Sequence, residues 1–542
     1  QNKTAKILTE NLTVITNEGL TINSNLNEIA KATLTNKNSG NIAICSKTSL
    51  ELAGVAGASA KSDNSLTVDG GSEVIFGGNV SAANISVTAG SITQNETAGS
   101  IITTSLDATA NSGISLDSTN NQIRKARLIN KLSGNILLKN KSVLELTLME
   151  NIGRSASIIN AGNLVVGGNI FAKGLSLDCT SLIQNVSTGK IKVGELTVNS
   201  INGMSLAAAS NEIDRARLVN MTKGNIELRT SSHLDLAAEN RSTSAADKLI
   251  VNCSGALNAI DALTARNIDL TALTFTAPDR IISDNLMVFT TNGTFLSSLA
   301  NQIKNATLQN SANGDVILKN SGNLNLLSLD NNSTGKTTII AENGNIDFSG
   351  AVKSKNLEAT GVAISQNEET STITTDNLKV SARNGLSLDS RKNAITAIDF
   401  ANNDGSTVIK NEKSLNMKGR AGNGSLTIGN KGSITASGNI SGNNVSIDLL
   451  GDLNSNYSLT ATNNLVVNAT GKINLQRAQG KNVTLTSGIE QSKLLLNAFD
   501  MAGINLRLQI DDEQTDEDAG SNVNQIGEAG GINVHDLLAE EE

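Results

Sequence analysis

Aromatic residues and proline are almost missing from this chain of 542 residues. It contains no Trp, one Tyr, eight Phe and a single Pro. Propeller blades carry aromatic signatures that this sequence does not have, so that class of repeat protein is not favoured. A core must instead be filled by Ile, Leu, Val and Ala. Hydrophobic residues still make up 38% of the chain, which is enough for a long, thin core and argues against disorder.

Cysteine is scarce as well, and long apolar runs are missing. Cys45, Cys179 and Cys253 are odd in number and far apart, so a disulfide framework is not expected. Cys179 and Cys253 share the parity of apolar neighbours and are predicted to lie in the core, whereas Cys45 is predicted to face outward as a free thiol. Apolar runs of only a few residues exclude a transmembrane helix. No basic segment followed by an apolar one opens the sequence, so we expect no export signal within it.

The charge is unevenly distributed. The net charge is −8, but residues 511–542 hold eleven of the 51 acidic residues and no Lys or Arg, which leaves 43 basic and 40 acidic residues before them. No basic patch is interleaved with aromatic residues, so nucleic acid is not an expected partner.

What the sequence does have is a stretch of twenty residues written five times. The segment NQIRKARLINKLSGNILLKN begins at Asn121, and related segments begin at Asn27, Asn211, Asn301 and Asn393, so the spacing is 90–94 residues. The flanking segments recur with it, and the unit fills the chain from residue 1 to about 480. A fixed period of this kind predicts a repeat architecture, in which each unit contacts only its neighbours.

Within the unit, apolar residues alternate with variable ones. In GNILLKN, Ile136 and Leu138 stay apolar in the other copies, whereas the positions of Leu137 and Lys139 vary. Such alternation marks a strand with one buried face, and the runs end at Gly, Asn, Ser or Asp, which favour turns. Together with the narrow aliphatic core, this predicts an all-β fold, a parallel β-helix. At four or five coils per unit, about 21–27 coils are expected, stacked about 4.8 Å apart.

The repeated stretch also predicts which side chains face the core. The apolar and small members are expected inside and the basic members outside. They are Ile123, Ala126 and Leu128 on the inside, and Arg124, Lys125 and Arg127 on the outside. Asn and Gly suit the corners because both tolerate positive φ, and stacked Asn side chains are expected to form hydrogen-bonded ladders. We expect the copies to occupy the same coils of successive units, so that like residues stack on like.

A recurring motif runs from I-T-Q through G-x-I and G-x-x-L to N-Q-I. Between residues 91 and 123 it rests on Ile92, Gln94, Gly99, Ile101, Gly113, Leu116, Asn121 and Ile123. With its flanks, over about residues 1–480, it resembles the long repeats of filamentous haemagglutinin-like exoproteins, bacterial surface adhesins of the two-partner secretion type. The resemblance implies a right-handed β-helix of about five super-repeats of ~90 residues, secretion to the cell surface, and adhesion.

The sequence also departs from that family. Those exoproteins carry a secretion domain with an N-P-N-G motif, whereas the single proline here is Pro278, in TAPDRI. We therefore expect no such domain in these residues, and the secretion route is not implied. Gln1-Asn2 aligns with Gln94-Asn95, so the chain begins in mid-repeat, and we expect that a preceding segment was removed.

Few residues suggest catalysis. His is the usual acid–base group, but His233 and His535 are far apart, and a lone His makes neither a metal site nor a triad. The segment DNNSTGKTT (330–338) is similar to a phosphate-binding loop, yet Asp330 replaces its first Gly and strands rather than a helix are predicted after it. No acidic cluster stands out in the repeats, so no catalytic, cofactor-binding or metal-ligating residue is assigned. A polysaccharide-cleaving β-helix stays an alternative, because stacking brings together residues one coil apart.

The C-terminal part breaks the repeat. The pattern predicts a β-helical shaft over residues 1–490, a capping or strand-donating segment over 491–510, and an acidic tail over 511–542. An open β-helix edge is a template for another chain, and the first residues are ordinary repeat. We therefore expect the segment 491–510 to close the last coils or to pair with the front edge of another copy.

The acidic tail is expected to be ordered by cations such as Ca²⁺ or by basic side chains of a neighbouring copy. Candidate side chains for that contact are Lys125, Arg127, Arg215 and Arg217. The leading hypothesis for the whole chain is a non-catalytic extracellular shaft that is structural and adhesive, with a host or bacterial surface receptor as its partner. The alternative is a self-assembling extracellular filament or sheath, in which copies stack end to end.

Overall fold

The chain folds as an all-β parallel solenoid, which confirms the predicted fold class. The structure, a computed structural model, describes residues 1–57, 64–97, 99–488 and 505–510, the last of these by backbone only. Over these residues the chain makes about 24 turns and contains no helix. The described part accordingly holds no helix of the length and apolarity needed to cross a membrane.

Most strands are short, and they follow one another through the described residues. The first of them are β1 (Leu8–Thr16), β2 (Leu20–Ile22), β3 (Glu28–Asn36), β4 (Ile42–Ser46), β5 (Leu50–Ala56), β6 (Ser65–Phe76), β7 (Val80–Ser81), β8 (Asn84–Gln94), β9 (Ile101–Ala110), β10 (Ile114–Leu116), β11 (Gln122–Asn130), β12 (Ile136–Asn140), β13 (Leu144–Asn160), β14 (Leu164–Val166), β15 (Ile170–Cys179), β16 (Leu182–Gln184), β17 (Ile191–Ser200), β18 (Met204–Leu206), β19 (Glu212–Asn220), β20 (Ile226–Thr230), β21 (Leu234–Asn240) and β22 (Lys248–Cys253).

The remaining strands continue the pattern. They are β23 (Ala256–Thr264), β24 (Asn267–Ala272), β25 (Thr274–Ala277), β26 (Ile281–Thr290), β27 (Thr294–Leu296), β28 (Gln302–Asn310), β29 (Val316–Asn320), β30 (Leu324–Ala341), β31 (Ile346–Phe348), β32 (Ala351–Gly361), β33 (Ile364–Gln366), β34 (Thr372–Leu388), β35 (Ala394–Asn411), β36 (Leu415–Arg420), β37 (Leu426–Asn430), β38 (Ile434–Gly442), β39 (Val445–Leu449), β40 (Leu453–Ala461), β41 (Asn464–Ala469), β42 (Ile473–Gln479), β43 (Asn482–Ser487) and β44 (Asn505–Ile510).

Strands pair in parallel with strands one turn away. Some consecutive strands, such as β34 and β35, pair directly, but most lie on different ladders. Thus β9 pairs with β11 while β10 pairs with β12. Paired residues are 18 to 25 positions apart in sequence. A turn therefore consumes about 20 residues. The chain divides into two compact units, Gln1–Lys304 and Asn305–Glu542, which are described separately below.

The repeated stretch has the predicted inside and outside. Ile123, Ala126 and Leu128 are fully buried, whereas Arg124 and Lys125 are exposed. Arg127, the third outward residue, is half-buried because it lies against Asp107 of the previous turn. The alternation arises because successive side chains of a strand point to opposite faces, and only one face of each strand meets the core.

The copies do not stack like on like, so that expectation was wrong. We call inward-facing residues that stack on successive turns a core column. In the first unit, one such column runs from Ala126, in the first strand of a copy, through Leu146, Val166 and Gln184. Two turns further on, the same column reaches Leu228, which belongs to the second strand of the next copy. A period of about 90 residues is four and a half turns of about 20 residues, so each copy starts half a turn out of phase with the one before.

The second unit follows the same rule. There Ala306 heads a column through Leu326, Phe348 and Gln366. This column arrives at Ile409, again in the second strand of the following copy. The order of side-chain sizes along the column, small, then large, then an amide, is thus reproduced. The repeat therefore encodes a column of different residues whose volumes fit one another, rather than a ladder of identical ones.

A buried pair of amides recurs in the core of both units. Gln184 Nε2 donates to Asn211 Oδ1 at 2.7 Å, and Asn211 Nδ2 donates back to Gln184 Oε1 at 3.0 Å. The same Asn oxygen accepts the backbone N–H of Ile191 at 2.9 Å. Equivalent buried pairs are Gln94 with Asn121 and Gln366 with Asn393, and Gln1 with Asn27 forms the same pair with the glutamine exposed. These are the I-T-Q and N-Q-I positions of the sequence motif. We call the contacts of this asparagine with the glutamine and with the backbone N–H of the previous turn the amide lock.

One copy lacks the glutamine but keeps the asparagine. Ala277 occupies the column position of Gln184, beside the single proline, Pro278. Asn301 there still accepts the N–H of Ile281 at 2.7 Å. The contact to the backbone of the previous turn is therefore the part of the lock that all five copies share.

A second buried asparagine closes a corner in each repeat. Asn130 Oδ1 accepts the N–H of Gly113 at 2.8 Å, and its Nδ2 donates to the carbonyls of Ser133 and Gly134 at 2.8 and 2.9 Å. Gly113 and Gly134 have φ of 114° and 80°, which a residue with a Cβ rarely adopts. The amide also donates to Asn151 of the next turn at 2.8 Å. The predicted Asn ladders are thus confirmed and lie inside the corners.

The last described strand extends the solenoid. Residues Asn505–Ile510 pair in parallel with Asn482–Ser487 of the turn before them. This is the described part of the predicted capping or strand-donating segment 491–510. The rest of that segment and the acidic tail 511–542, with its proposed Ca²⁺, lie outside the described residues.

We predict that Asn211→Leu opens its turn far more than Gln184→Ala does. The leucine leaves the buried N–H of Ile191 without an acceptor, and each buried group left unpaired costs about 1–3 kcal/mol. Gln184→Ala reproduces the arrangement found at Ala277, so the N–H of Ile191 keeps its acceptor. Amide hydrogen exchange reports the local opening, which is the appropriate measure because turns of a solenoid open semi-independently.

The matched control is Asn169→Leu, at an exposed Asn of the same unit. Exchange at Ile191 should stay slow in this control and in Gln184→Ala, and should become faster in Asn211→Leu. Equal exchange rates at Ile191 in all three variants would show that the amide lock does not hold the turns together.

Candidate functional site: a groove on the first unit

On the outer surface, ion pairs connect side chains of different turns. Lys125 Nζ lies 3.0 Å from Glu145, and Arg127 Nη1 lies 2.8 Å from Asp107. Arg215 is paired with Asp235 of the next turn and Arg217 with Asp261 two turns away, each at 3.5 Å. The four basic side chains expected to receive the acidic tail thus already have partners within their own unit. Exposed pairs of this kind each contribute about 0–1 kcal/mol.

Among these ion pairs, Glu212 is a carboxylate held by two lysines at short distance. It accepts from Lys190 Nζ at 2.5 Å and from Lys192 Nζ at 2.8 Å. These two hydrogen bonds, with the attraction of both ammonium charges, lower the pKa of Glu212 to about 2. A carboxylate with a lowered pKa stabilises the fold above its unfolded-state pKa and loses that contribution as the pH falls to its folded-state value.

We therefore predict that Glu212→Gln weakens its turn only at higher pH. Hydrogen exchange at residues 190–213 should be faster in the variant than in the wild type at pH 6. The difference should shrink below pH 4.5 and vanish near pH 2, where the wild-type carboxylate becomes protonated. Salt should reduce the difference at pH 6, because the pair is half exposed and therefore screened. A difference that persists unchanged at pH 2 would exclude the ionic origin.

A groove of about 350 Å³ crosses several turns of the first unit. Its walls are three apolar side chains that point outward, Ile159, Ile201 and Met221, with exposed fractions of 38%, 48% and 42%. The dip between them arises at Ala161 and Thr180, because these corner positions carry smaller side chains than their neighbours Ile201 and Met221. The remaining lining residues are Thr119, Lys139, Asn140, Asn160, Asp178, Cys179, Asn199 and Ser200.

At one end of the groove lies Lys139, whose positive charge is balanced by two carboxylates. Lys139 Nζ lies 2.6 Å from Asp117 and 3.4 Å from Glu96, which stand on the two preceding turns. The hydrogen bond with Asp117 is the main cause that raises the pKa of Lys139. This lysine therefore stays protonated at neutral pH and does not act as a nucleophile.

The centre of the groove carries a carboxylate and a buried thiol. Asp178 Oδ1 accepts from Asn199 Nδ2 at 2.7 Å, across one turn. Cys179, next in the chain, points inward, and burial with a smaller effect of Asp178 raises its pKa to about 12. Thiolates rather than thiols are the reactive form, so this cysteine does not provide nucleophilic chemistry. The groove can therefore bind a group that carries an apolar part next to a positive charge, with the apolar part against the walls and the charge at Asp178.

The polar part of this arrangement recurs in the second unit. Lys139, Ile159, Asp178 and Asn199 are stacked partners on four successive turns. Their counterparts are Lys410, Gly429, Asp448 and Asn468. Lys410 is paired with Glu368 at 2.8 Å, and Asn468 Nδ2 donates to Asp448 at 2.7 Å. Gly429 stands where the first unit has Ile159, so the second column lacks this apolar wall.

The residues singled out from the sequence are not gathered at this groove. His233 is exposed at a turn, and His535 lies outside the described residues. The segment 330–338 lies within β30, with Lys336 paired to Glu358, so it forms no phosphate-binding loop. Within the described residues no three His, Cys, Asp or Glu side chains come close enough to hold a metal ion.

The cysteines lie as predicted. Cys179 and Cys253 are buried, Cys45 is half-buried, and none of the three is in a disulfide. Cys253 donates through Sγ to the carbonyl of Ser232 at 3.0 Å. Burial raises the pKa of all three thiols.

We predict that only Cys45 reacts with iodoacetamide in the native chain. Cys179 and Cys253 are shielded by the core and held as thiols, and exposure as well as thiolate character controls reactivity. Mass spectrometry after alkylation at pH 8 should show a single modified cysteine, and three after unfolding in guanidinium. A rapidly modified Cys179 in the folded chain would contradict the packing of the groove floor.

Sequence reasoning missed the groove because it concentrated on titratable residues. The available signal was the parity of the apolar residues. Ile159 follows the core residue Ile158, and Ile201 and Met221 stand just after the buried residues that end their strands. Large apolar residues at outward positions, clustered on one corner, are a mark of an interaction surface.

Comparisons of the chain with known protein families, with curated proteins and with solved structures found no match.

Proposed function

We propose that this chain is a non-catalytic, extracellular shaft, structural and adhesive in role, of the filamentous haemagglutinin-like kind. The observation that carries the proposal is the amide lock, which recurs every 90–94 residues at Asn27, Asn121, Asn211, Asn301 and Asn393. The lock fixes the corners of the solenoid from within. The outward side chains are then free to change without loss of the fold, as is typical of a surface that serves binding.

The chemistry of the surface also supports a binding rather than a catalytic role. Lys139 is held as a charged partner of Asp117 and Glu96, and the thiol of Cys179 is kept protonated. The groove offers apolar walls at Ile159 and Ile201 beside the Asp178 carboxylate. Apolar contact area combined with a few placed polar groups is the usual composition of a recognition surface.

A binding assay tests the adhesive part of the proposal. Beads coated with the purified chain should adhere to host cells, to extracellular matrix or to bacteria more than beads coated with an unrelated protein of similar net charge. Because the contact is to include apolar side chains, adhesion should persist in part at high salt. Failure to adhere to all three kinds of surface would exclude an adhesive shaft.

A second variant set locates the adhesive surface. Ile201→Asp places a charge in the groove, whereas Ile260→Asp changes an equally exposed isoleucine that does not line it. Reduced adhesion in the first variant alone would assign binding to the groove. Equal adhesion in both would assign it to another surface of the shaft.

A further inference from the structure

Besides the groove, the first unit has a surface on which apolar side chains project outward. Leu132 and Ile152 are exposed by 75% and 79%, more than the other exposed large apolar residues of the described part. They stand on adjacent turns, since Asn130 Nδ2 donates to Asn151 Oδ1 at 2.8 Å. Adjacent turns place them about 5 Å apart along the stack. Exposed apolar side chains grouped in this way are a mark of an interaction surface.

Basic side chains surround these two residues. We call Lys131, Leu132, Ile152, Arg154 and Lys173 the basic ridge. The three basic members are exposed, and none is in an ion pair with a described residue. This contrasts with Lys125 and Arg127 of the repeated stretch, which are paired. The ridge therefore offers uncompensated positive charge beside bare apolar groups.

A local feature of the backbone projects the ridge outward. The register of β13 against β15 shifts between Asn151 and Ser155, so Ile152, Gly153 and Arg154 bulge out of the ladder. Gly153 has φ of 76°, and a Cβ placed there would touch no neighbouring atom within 4 Å. β-bulges re-aim side chains and are features that a fold retains for a purpose.

The groove offers the ridge apolar walls and a carboxylate. Its walls Ile159 and Ile201 stand two turns apart, which is about 10 Å along the stack. One turn lies between the two walls, so the gap accepts one apolar side chain, and its neighbour on the adjacent turn packs against the outer side of a wall. Asp178 lines the groove, and the charge of Lys139, the other charged residue of the lining, is offset by Asp117 and Glu96, which lie outside the lining. Arg241, next to Met221, is itself paired with Glu239 at 2.8 Å.

We propose that the basic ridge of one copy docks in the groove of a second copy. Ile152, the more exposed of the two, would enter the gap between Ile159 and Ile201, and Leu132 would pack against the outer side of one of these walls. The ridge cations would meet Asp178 and the carboxylates beside Lys139. Ridge and groove are different surfaces of one unit, so the contact is heterologous and each copy keeps a free ridge and a free groove. Such contacts give rings or open chains of copies. The contact runs side by side and goes beyond the proposed function, since it requires no receptor.

Two single variants and their mixture test this contact. Leu132→Asp disables the ridge and Ile201→Asp disables the groove, both at exposed positions. Sedimentation of the purified full chain between about 1 and 100 µM, the range in which a micromolar Kd populates a complex, should show growing assemblies for the wild type. Each variant should sediment as a monomer. Ile260→Asp, at a position 48% exposed and outside both surfaces, should assemble as the wild type does.

The mixture of the two disabled variants distinguishes this contact from any other. The intact ridge of Ile201→Asp fits the intact groove of Leu132→Asp, so the mixture should give a 1:1 heterodimer that grows no further. Raising the salt concentration should weaken it, because the complementary charges are screened. A monomeric wild type, a mixture that stays monomeric, or variants that assemble like the wild type would each overturn the proposal. Because the assay contains no receptor surface, its failure would leave adhesion untouched.

Discussion

The hydrogen bond from the Ile191 N–H to the buried amide of Asn211, and its counterparts, is the contact on which the solenoid depends. A chain that turns every few residues must repeatedly leave its β-ladder. Each time it does so, a backbone N–H or C=O group near the core loses its ladder hydrogen bond. Buried groups of this kind are almost always paired. Here an asparagine amide reaches from one turn to the backbone of the one before, and so satisfies the corner and fixes the register between turns in one contact.

The same constraint explains the composition. Asparagine is short, offers two donors and two acceptor lone pairs, and fits inside a narrow corner. Aromatic rings have little place beside it: Phe76, Phe275, Phe348 and Phe400 are the largest fully buried side chains of the described residues, and small or aliphatic residues occupy most of the columns around them. The turns are held by these hydrogen bonds and by parallel ladders, and the three cysteines are free.

Much of the fold followed from the sequence, and the parts that did not have physical reasons. The alternation in GNILLKN determines which residues are buried, so Ile136 and Leu138 could be placed in the core. The role of Gln184 could not, because a glutamine in an apolar run gives no sign of its partner 27 residues away. The half-turn phase shift was also missed, since it depends on the turn length, which the period of the repeat does not reveal. The groove depends on the relative size of side chains on four turns, and that relation appears only when the turns are stacked.

The half-turn phase shift has a consequence for how such a chain can evolve in length. Duplication of one 90-residue copy inserts four and a half turns, so every surface feature beyond the insertion moves to the opposite edge of the solenoid. Duplication of two copies inserts nine whole turns and restores the original sidedness. Selection that acts on which edge presents a groove or a ridge would therefore tolerate the gain or loss of copies in pairs and penalise odd numbers.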